Sequence, residues 1–469
     1  MLAQPWKIPF ILVFVLALLG ALTPPASVPA TAAPLNPGDT AWMLTATGLV
    51  LLMTPGLAFF YAGMVGRKNV ISTMMQSFAA MGVISLLWVM VGFSLSFGES
   101  IGGIIGSPFT FWMFSGVTGA TDSALSPTVP LVLFALFQMK FAIITPALIS
   151  GALSERIRFS AYLLFICLFS LVIYCPLAHW TWHPQGFLRN LGVLDFAGGS
   201  VVHMSAGFAA LAGALALGQR ASHRAGSLPT PAHIPYVLLG TGMLWFGWFG
   251  FNAGSALAAN ETAALAFLTT NTASASAMLG WIFLDAFKGK KPSALGACIG
   301  AVVGLVAITP AAGFVSVGAS IFIGFFASVA SNLAVSWKTK TAIDDTLDVF
   351  PCHGVGGIFG MLATAVFAKD VGLIFGESST FMYHLLALVI VTVFAFGGSF
   401  LLFKVTNLII PLRVSAAEEA LGLDLSQHAE SIEPEAGAHE IAPSAQAAAM
   451  ANPINGHRGP KAVTQALVQ

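Results

Sequence analysis

The sequence predicts an all-α polytopic membrane protein: eleven transmembrane helices, the first ten forming two inverted five-helix repeats. Composition is the first of three observations behind this. Of 469 residues 57% are apolar and 8% charged, with a mean hydropathy of +0.86. A soluble domain carries roughly 25% charged residues, so a soluble enzyme and a disordered chain are both excluded. Second, apolar runs near the ~20 residues that cross a bilayer recur at 41–65, 70–97, 128–151, 160–182, 198–219, 234–257, 263–287, 294–309, 313–337, 352–368 and 381–406. They are apolar all round, whereas barrel strands alternate. Third, charge follows parity. With the first helix starting outside, Arg67, Lys68, Arg156, Arg158, Arg220, Arg224, Lys288, Lys290, Lys291, Lys338, Lys340, Lys404 and Arg413 all fall on the cytoplasmic side. Only Arg189 and Lys369 fall outside. This positive-inside bias places the N-terminus outside and the C-terminus in the cytoplasm of a cell's inner (cytoplasmic) membrane. Helices one to five and six to ten then have opposite topology, which suits a transporter with its site near the midplane.

Residues 1–32 read as a cleaved signal peptide: Lys7, a short apolar run from Ile8 to Leu22, proline breaks and an Ala30-Thr31-Ala32 site. Residues 33–413 form the transmembrane domain. Residues 414–469 form a cytoplasmic tail whose Ala-rich distal part is expected to be disordered. The balance of 19 basic and 19 acidic residues points to no nucleic acid partner. The four cysteines lack metal or disulfide spacing. No Walker loop, GxSxG or metal-spaced cluster is present, so neither an enzyme, a cofactor nor a metal is expected.

Polar and aromatic residues inside spans carry the functional information, because an intramembrane charge needs a partner or a cavity. In the third helix Phe137 and Phe141 lie one turn apart on one face. Lys140, between them in sequence, points elsewhere; a partner at a helix or subunit contact is the favoured reading. Trp182 ends the fourth helix, and Phe249, Phe251 and Ser255 end the sixth, at the same external level. Aromatics there are usually interface belts, but π-faces with one hydroxyl also suit a small cation. His203 and His353 open the fifth and tenth helices, corresponding positions of the two halves, and read either as a facing pair or as two unrelated packing histidines. Asp195 is a helix cap or an ion-binding carboxylate, with the cap favoured. Asp348 takes the same reading, with Asp344 and Asp345 solvated beside it.

The segments FFYAGMVGRKNV (59–70), FAIITPALISGALSERIRFSA (141–161), DFAGGSVVH (195–203), GWFGFNAGS (247–255), DVFPCHG (348–354) and PLRVSAAEEALGLD (411–424) closely resemble the ammonium transporter (Amt/Mep/Rh) family, in its microbial Amt branch. The resemblance implies a homotrimer in the lipid bilayer, each subunit with its own pore for ammonium or ammonia. It implies a cation recruitment site at Trp182, Phe141 and Ser255, a phenyl gate at Phe141 and Phe251, and a pore histidine pair at His203 and His353. Asp195, and with it Asp348, would be structural supports. A PII-type signalling protein is implied at the cytoplasmic face and proximal tail, although the family's His-Gly-Glu is His428-Ala429-Glu430 here. An ammonium sensor on the same fold is the alternative. It is disfavoured because about 55 residues follow Arg413, and they are Ala-rich.

Overall fold

The computed structural model describes residues 6–22, 33–227 and 230–432. Its membrane helices are α1 (Pro37–Met64), α2 (70–97), α3 (Leu131–Leu153), α4 (159–182), α5 (Gly199–Leu217), α6 (Ile234–Gly254), α7 (Glu261–Phe287), α8 (Ala294–Ile308), α9 (Val317–Lys338), α10 (Phe350–Phe367) and α11 (Ser378–Ile409). Each occupies the place of one apolar run. Nine of these described helices are long and apolar enough to cross a membrane by themselves; α7, rich in Thr and Ser, and the 15-residue α8 complete the set. The leading helix Lys7–Leu22 buries none of its residues. The expected cleavage point at Ala32 and the distal tail lie outside the described residues.

Helix starts are capped from the sequence. Asn36 Oδ1 accepts from the Gly38 and Asp39 amides at 2.9 and 3.1 Å, with Pro37 at the first helical position. Asn260, Ser293 and Ser316 cap α7, α8 and α9 in the same way. The one sheet among the described residues is a two-stranded hairpin, β1 (Ser100–Ile101) with β2 (Ile105–Gly106), in the long α2–α3 connection.

The two repeats meet at α5 and α10. Both helices open with a π-helical turn, Gly199–Met204 and Phe350–Val355, and each turn carries one of the two histidines, 150 residues apart. π-turns inside helices commonly mark functional sites because they re-aim one side chain. The same 150-residue offset governs the crossing. A Cβ on Gly207 would lie 2.2 Å from the Gly354 amide nitrogen, and one on Gly357 would lie 3.2 Å from that of Met204. Positions 204 and 207 shifted by 150 are 354 and 357, so these are one contact seen twice across a pseudo-twofold axis. Only glycine lets the two backbones approach so closely. The eleventh helix packs along α5, outside the repeat.

At the opposite end of the bundle from Trp182, buried charges tie the connections together. Arg220 bonds Asp344 (Nη2–Oδ1 2.8 Å) and Glu155 (Nη1–Oε2 2.6 Å), while Arg156 donates to the Asp344 carbonyl. The tail docks on the same end. Its short helix α12 (Ala416–Leu421) starts with a Ser415–Glu418 capping box, and Arg413 pairs with Glu419 at 2.6 Å. Lys68 donates to the Glu419 and Ala420 carbonyls, and Asp424 Oδ1 accepts from the Ser72 amide at 2.7 Å in the first turn of α2. The docked stretch ends on Ala429 at φ 56°, a left-handed conformation that costs a non-glycine residue roughly 1–2 kcal/mol. Ala429→Gly is therefore expected to tighten docking by about 1 kcal/mol, read as slower hydrogen exchange over 415–430. Unchanged exchange would show that the strain is relieved elsewhere.

Candidate functional site

A cavity of about 410 Å³ opens at the C-terminal ends of α4 and α6. Trp182, Phe141 and Ser255 line it together, so the structure brings the three residues to one place. The Trp182 indole stands edge-on to Phe141 (centroids 5.7 Å, 83°) and is held there by its Nε1–H, which donates to the Asp195 carbonyl at 3.1 Å. The Ser255 hydroxyl donates to the Phe251 carbonyl at 2.9 Å, which leaves its lone pairs for an incoming donor. Gln138 Oε1 and Thr181 Oγ1, on residues lining the same cavity, are buried acceptors without a partner among the described residues. All these polar atoms can accept a hydrogen bond from a cation that carries N–H groups.

The floor of the cavity is closed. Phe141 and Phe251 stack at 4.1 Å and 30°, with 1% and 0% exposure, and Phe137 backs Phe141 at 4.9 Å. Phe249 turns away and stacks on Phe267 at 4.0 Å, so of the two phenylalanines ending the sixth span only Phe251 stacks on Phe141. Beneath the phenyls, the His203 ring lies 6.1 Å from Phe251. A cavity of about 10 Å³ lies there between Leu57, Ile144, Val302, Trp248 and the two histidines. That is about the room one water centre needs.

His203 Nδ1 and His353 Nδ1 lie 3.2 Å apart, so the two imidazoles do face each other. Their wiring follows from their neighbours. Thr309 Oγ1 gives its proton to the Leu305 carbonyl at 2.8 Å and accepts from Trp248 Nε1–H at 2.9 Å. Its remaining lone pair faces His203 Nε2 at 3.3 Å, which therefore carries the proton. His203 Nδ1 is then an acceptor, His353 Nδ1 the donor, and His353 Nε2 an unprotonated nitrogen at the end of the chain. Nothing in the sequence singled out Thr309, Gln138 or Thr181. Only the fold brings Gln138 and Thr181 to the cavity and Thr309 to His203.

Asp195 is spent locally. Its two oxygens accept from the amides of Gly198, Gly199, Ser200 and Val201 and from the Ser200 hydroxyl at 2.5–3.4 Å. The matching residue in the second half is Asp345 rather than Asp348. Asp345 lies eight residues before His353, as Asp195 lies eight before His203, and accepts from the Val349 and Phe350 amides at 3.1 and 2.7 Å. Asp348 instead pairs with Lys338 at 2.7 Å. Asp344 and Asp345, read from sequence as solvated, are 1% and 0% exposed. A run of three aspartates looks like a solvated loop, and the equal spacing to the histidine was the signal that distinguishes them.

The model of the Ammonium Transporter Family covers residues 41–432. The chain belongs to the ammonium transporter family. An ammonium transporter of Bacillus subtilis (strain 168) is 46% identical over 404 residues, which cover 84% of this chain and 98% of that protein. The crystal structure of Saccharomyces cerevisiae Mep2 superposes with a TM-score of 0.77 at 35% identity, covering 82% of this chain and 89% of Mep2. A sensor Amt protein superposes with a TM-score of 0.77 at 31% identity, covering 83% and 98%. The family is one of membrane transporters, not of enzymes.

In this ammonium transporter family member Lys140 is 8% exposed, and its Nζ lies 3.8 Å from Met139 Sδ. No ion pair to an acid of the same chain is formed among the described residues, so the partner expected at a helix contact is not found among them. Lys140 lies on the helix stripe that continues from half-exposed Leu136 and exposed Val132, away from Phe141. Lys140→Met is expected to leave ammonium affinity and K⁺ exclusion within twofold of wild type, as measured by flux into vesicles. A large change in either would place the charge on the permeant path.

Proposed function

We propose that each subunit moves ammonium inward across the cytoplasmic membrane, recruiting it as a cation between Trp182, Phe141 and Ser255 and passing it the Phe141–Phe251 gate to the His203–His353 pair. The observation that carries this reading is the order of contacts: an aromatic and hydroxyl receptor touches a closed pair of phenyls, which in turn lies against a facing imidazole pair. The receptor draws a small cation by cation–π attraction, worth about 0.5–2 kcal/mol. Ammonium and K⁺ are alike in size and charge, but only ammonium donates hydrogen bonds and can lose a proton. The phenyls and the apolar lining make a dehydrated charge costly, so neutral ammonia is the species that fits below them. The unprotonated His353 Nε2 can accept a bond from it.

Trp182 and its vestibule face outward in this reading, and the charged end with the tail faces the cytoplasm. Three copies assemble as a trimer, for which the exposed apolar flank of α7 around Phe267 and Leu268 is available. The docked segment from Arg413 to about Leu425 presents the surface for a PII-type regulator. Asp195 and Asp345 act as structural supports of the two histidine-bearing turns, and Asp348 supports the second through Lys338.

The test is current and pH recording on reconstituted protein after an ammonium pulse and after a K⁺ pulse. Transport predicts a saturable response to ammonium alone; a sensor would bind ammonium without turnover. In the same assay Trp182→Ala should raise KM about tenfold, with the lumen and its K⁺ exclusion intact. An unchanged KM would remove Trp182 from recruitment.

A further inference from the structure

Two residues lining the 410 Å³ vestibule carry formal charge, Asp195 and Arg189. Five donors close around the Asp195 oxygens, so that charge is absorbed by the start of α5. The acid on the neighbouring lip, Asp122, spends Oδ1 on the amides of Ala124 and Leu125. Arg189 is exposed, and an entering cation therefore meets a fixed guanidinium at the mouth of its own receptor. Its position is not incidental. Gly186 folds the chain back over the last turn of α4, where a Cβ would come 2.1 Å from the His179 carbonyl. The short turn Phe187–Asn190 then delivers Arg189 Nη1 to the Trp182 carbonyl at 2.6 Å. That carbonyl ends α4, and a helix C-terminus carries a partial negative charge that attracts cations.

We propose that Arg189 is a positioning and affinity-setting residue of the vestibule. It holds the backbone of Trp182, and it occupies with a permanent cation the helix-end site that would otherwise draw the permeant one. The vestibule is thereby kept from binding ammonium so tightly that release toward the gate slows. This rests on the ammonium-transport reading above.

Wild type, Arg189→Gln and Arg189→Lys are compared in proteoliposomes, at ~10 mM and ~150 mM N-methyl-D-glucamine chloride, where the screening length falls from ~30 to ~8 Å. Wild-type KM for ammonium is expected to fall about twofold to threefold as salt screens the repulsion. The Gln variant, which keeps a donor for the Trp182 carbonyl, should show a KM about threefold lower at low salt and no salt dependence, with kcat lower rather than higher. The Lys variant should keep the wild-type salt dependence. A Gln variant with wild-type KM and salt response, or a Lys variant that behaves like Gln, would overturn the proposal. Wild-type protein that moves no ammonium would overturn the transport reading instead.

Discussion

Replacing His203 or His353 by alanine is expected to cut ammonium flux at least tenfold or to open the pore to K⁺, with the protein still folded and assembled. Each ring is a link in a chain running from Trp248 and Thr309 through His203 to His353. Removing one leaves its neighbour with a buried, unmet hydrogen-bonding atom, at about 1–3 kcal/mol. That alone corresponds to roughly fivefold to 150-fold in any step that depends on the neighbour's orientation. Thr309→Val should act in the same direction but less strongly, because it frees the His203 tautomer without removing the ring. Flux and K⁺ leak are measured together in vesicles, beside a size-exclusion profile of the assembly. Wild-type flux and selectivity in both alanine variants would remove the imidazoles from the mechanism.

The second large effect concerns folding. Asp344 accepts from the Arg220 side chain and backbone amide at 2.7–3.2 Å, and its own carbonyl takes Arg156. Asp344→Ala leaves Arg220 buried with Glu155 as its remaining carboxylate, and breaking such a pair from one side costs about 3–5 kcal/mol. Loss of most folded protein is the expected result, with Asp344→Asn intermediate because it keeps an acceptor. The same residue gives an acid limb. Burial pushes its carboxyl up, but Arg220's hydrogen bonds and the charges of Arg156 and Arg220 outweigh this and hold it at about 2, below the ordinary 3.8. A depressed carboxyl stabilises fully above the unfolded value. The stabilisation is lost as pH falls from near 3.8 through about 2. Thermal midpoints in detergent should drop across that window in wild type and less steeply in Asp344→Asn; equal slopes would show that Asp344 is not the group titrating.

The membrane helices are legible in the sequence because the bilayer imposes a length and a polarity on each, and both survive without neighbours. The two histidines are legible as candidates because they open corresponding helices of the two halves, but His179 and His384 also lie in apolar runs and only the fold sets His203 against His353; Asp195 is legible because it stands just before a helix. What the sequence hides depends on aim. Phe249 and Phe251 are equivalent in composition, yet one stacks on Phe267 and the other on Phe141. Thr309 is one of many threonines until the fold sets it between Trp248 and His203. Asp345 was hidden by its neighbours Asp344 and Asp348, although the interval of eight to the histidine in both halves was there to be counted. Its preference for backbone amides reflects the same local geometry that serves Asp195.

The glycine crossing of α5 and α10 bears on how anything could pass. In many transporters built from inverted repeats, one half rocks against the other and exposes a fixed site to each side in turn. Rocking needs a seam along which side chains can slide. Here α5 and α10 approach backbone to backbone where they cross, with Gly207 on Gly354 and Gly357 on residue 204, which leaves little room for the two helices to slide at that point. The halves are pinned like two crossed rods at their point of contact. In the reading proposed above, opening then falls to the rings: a rotation of Phe141 or Phe251 would expose the lumen while the crossing of α5 and α10 stays in place.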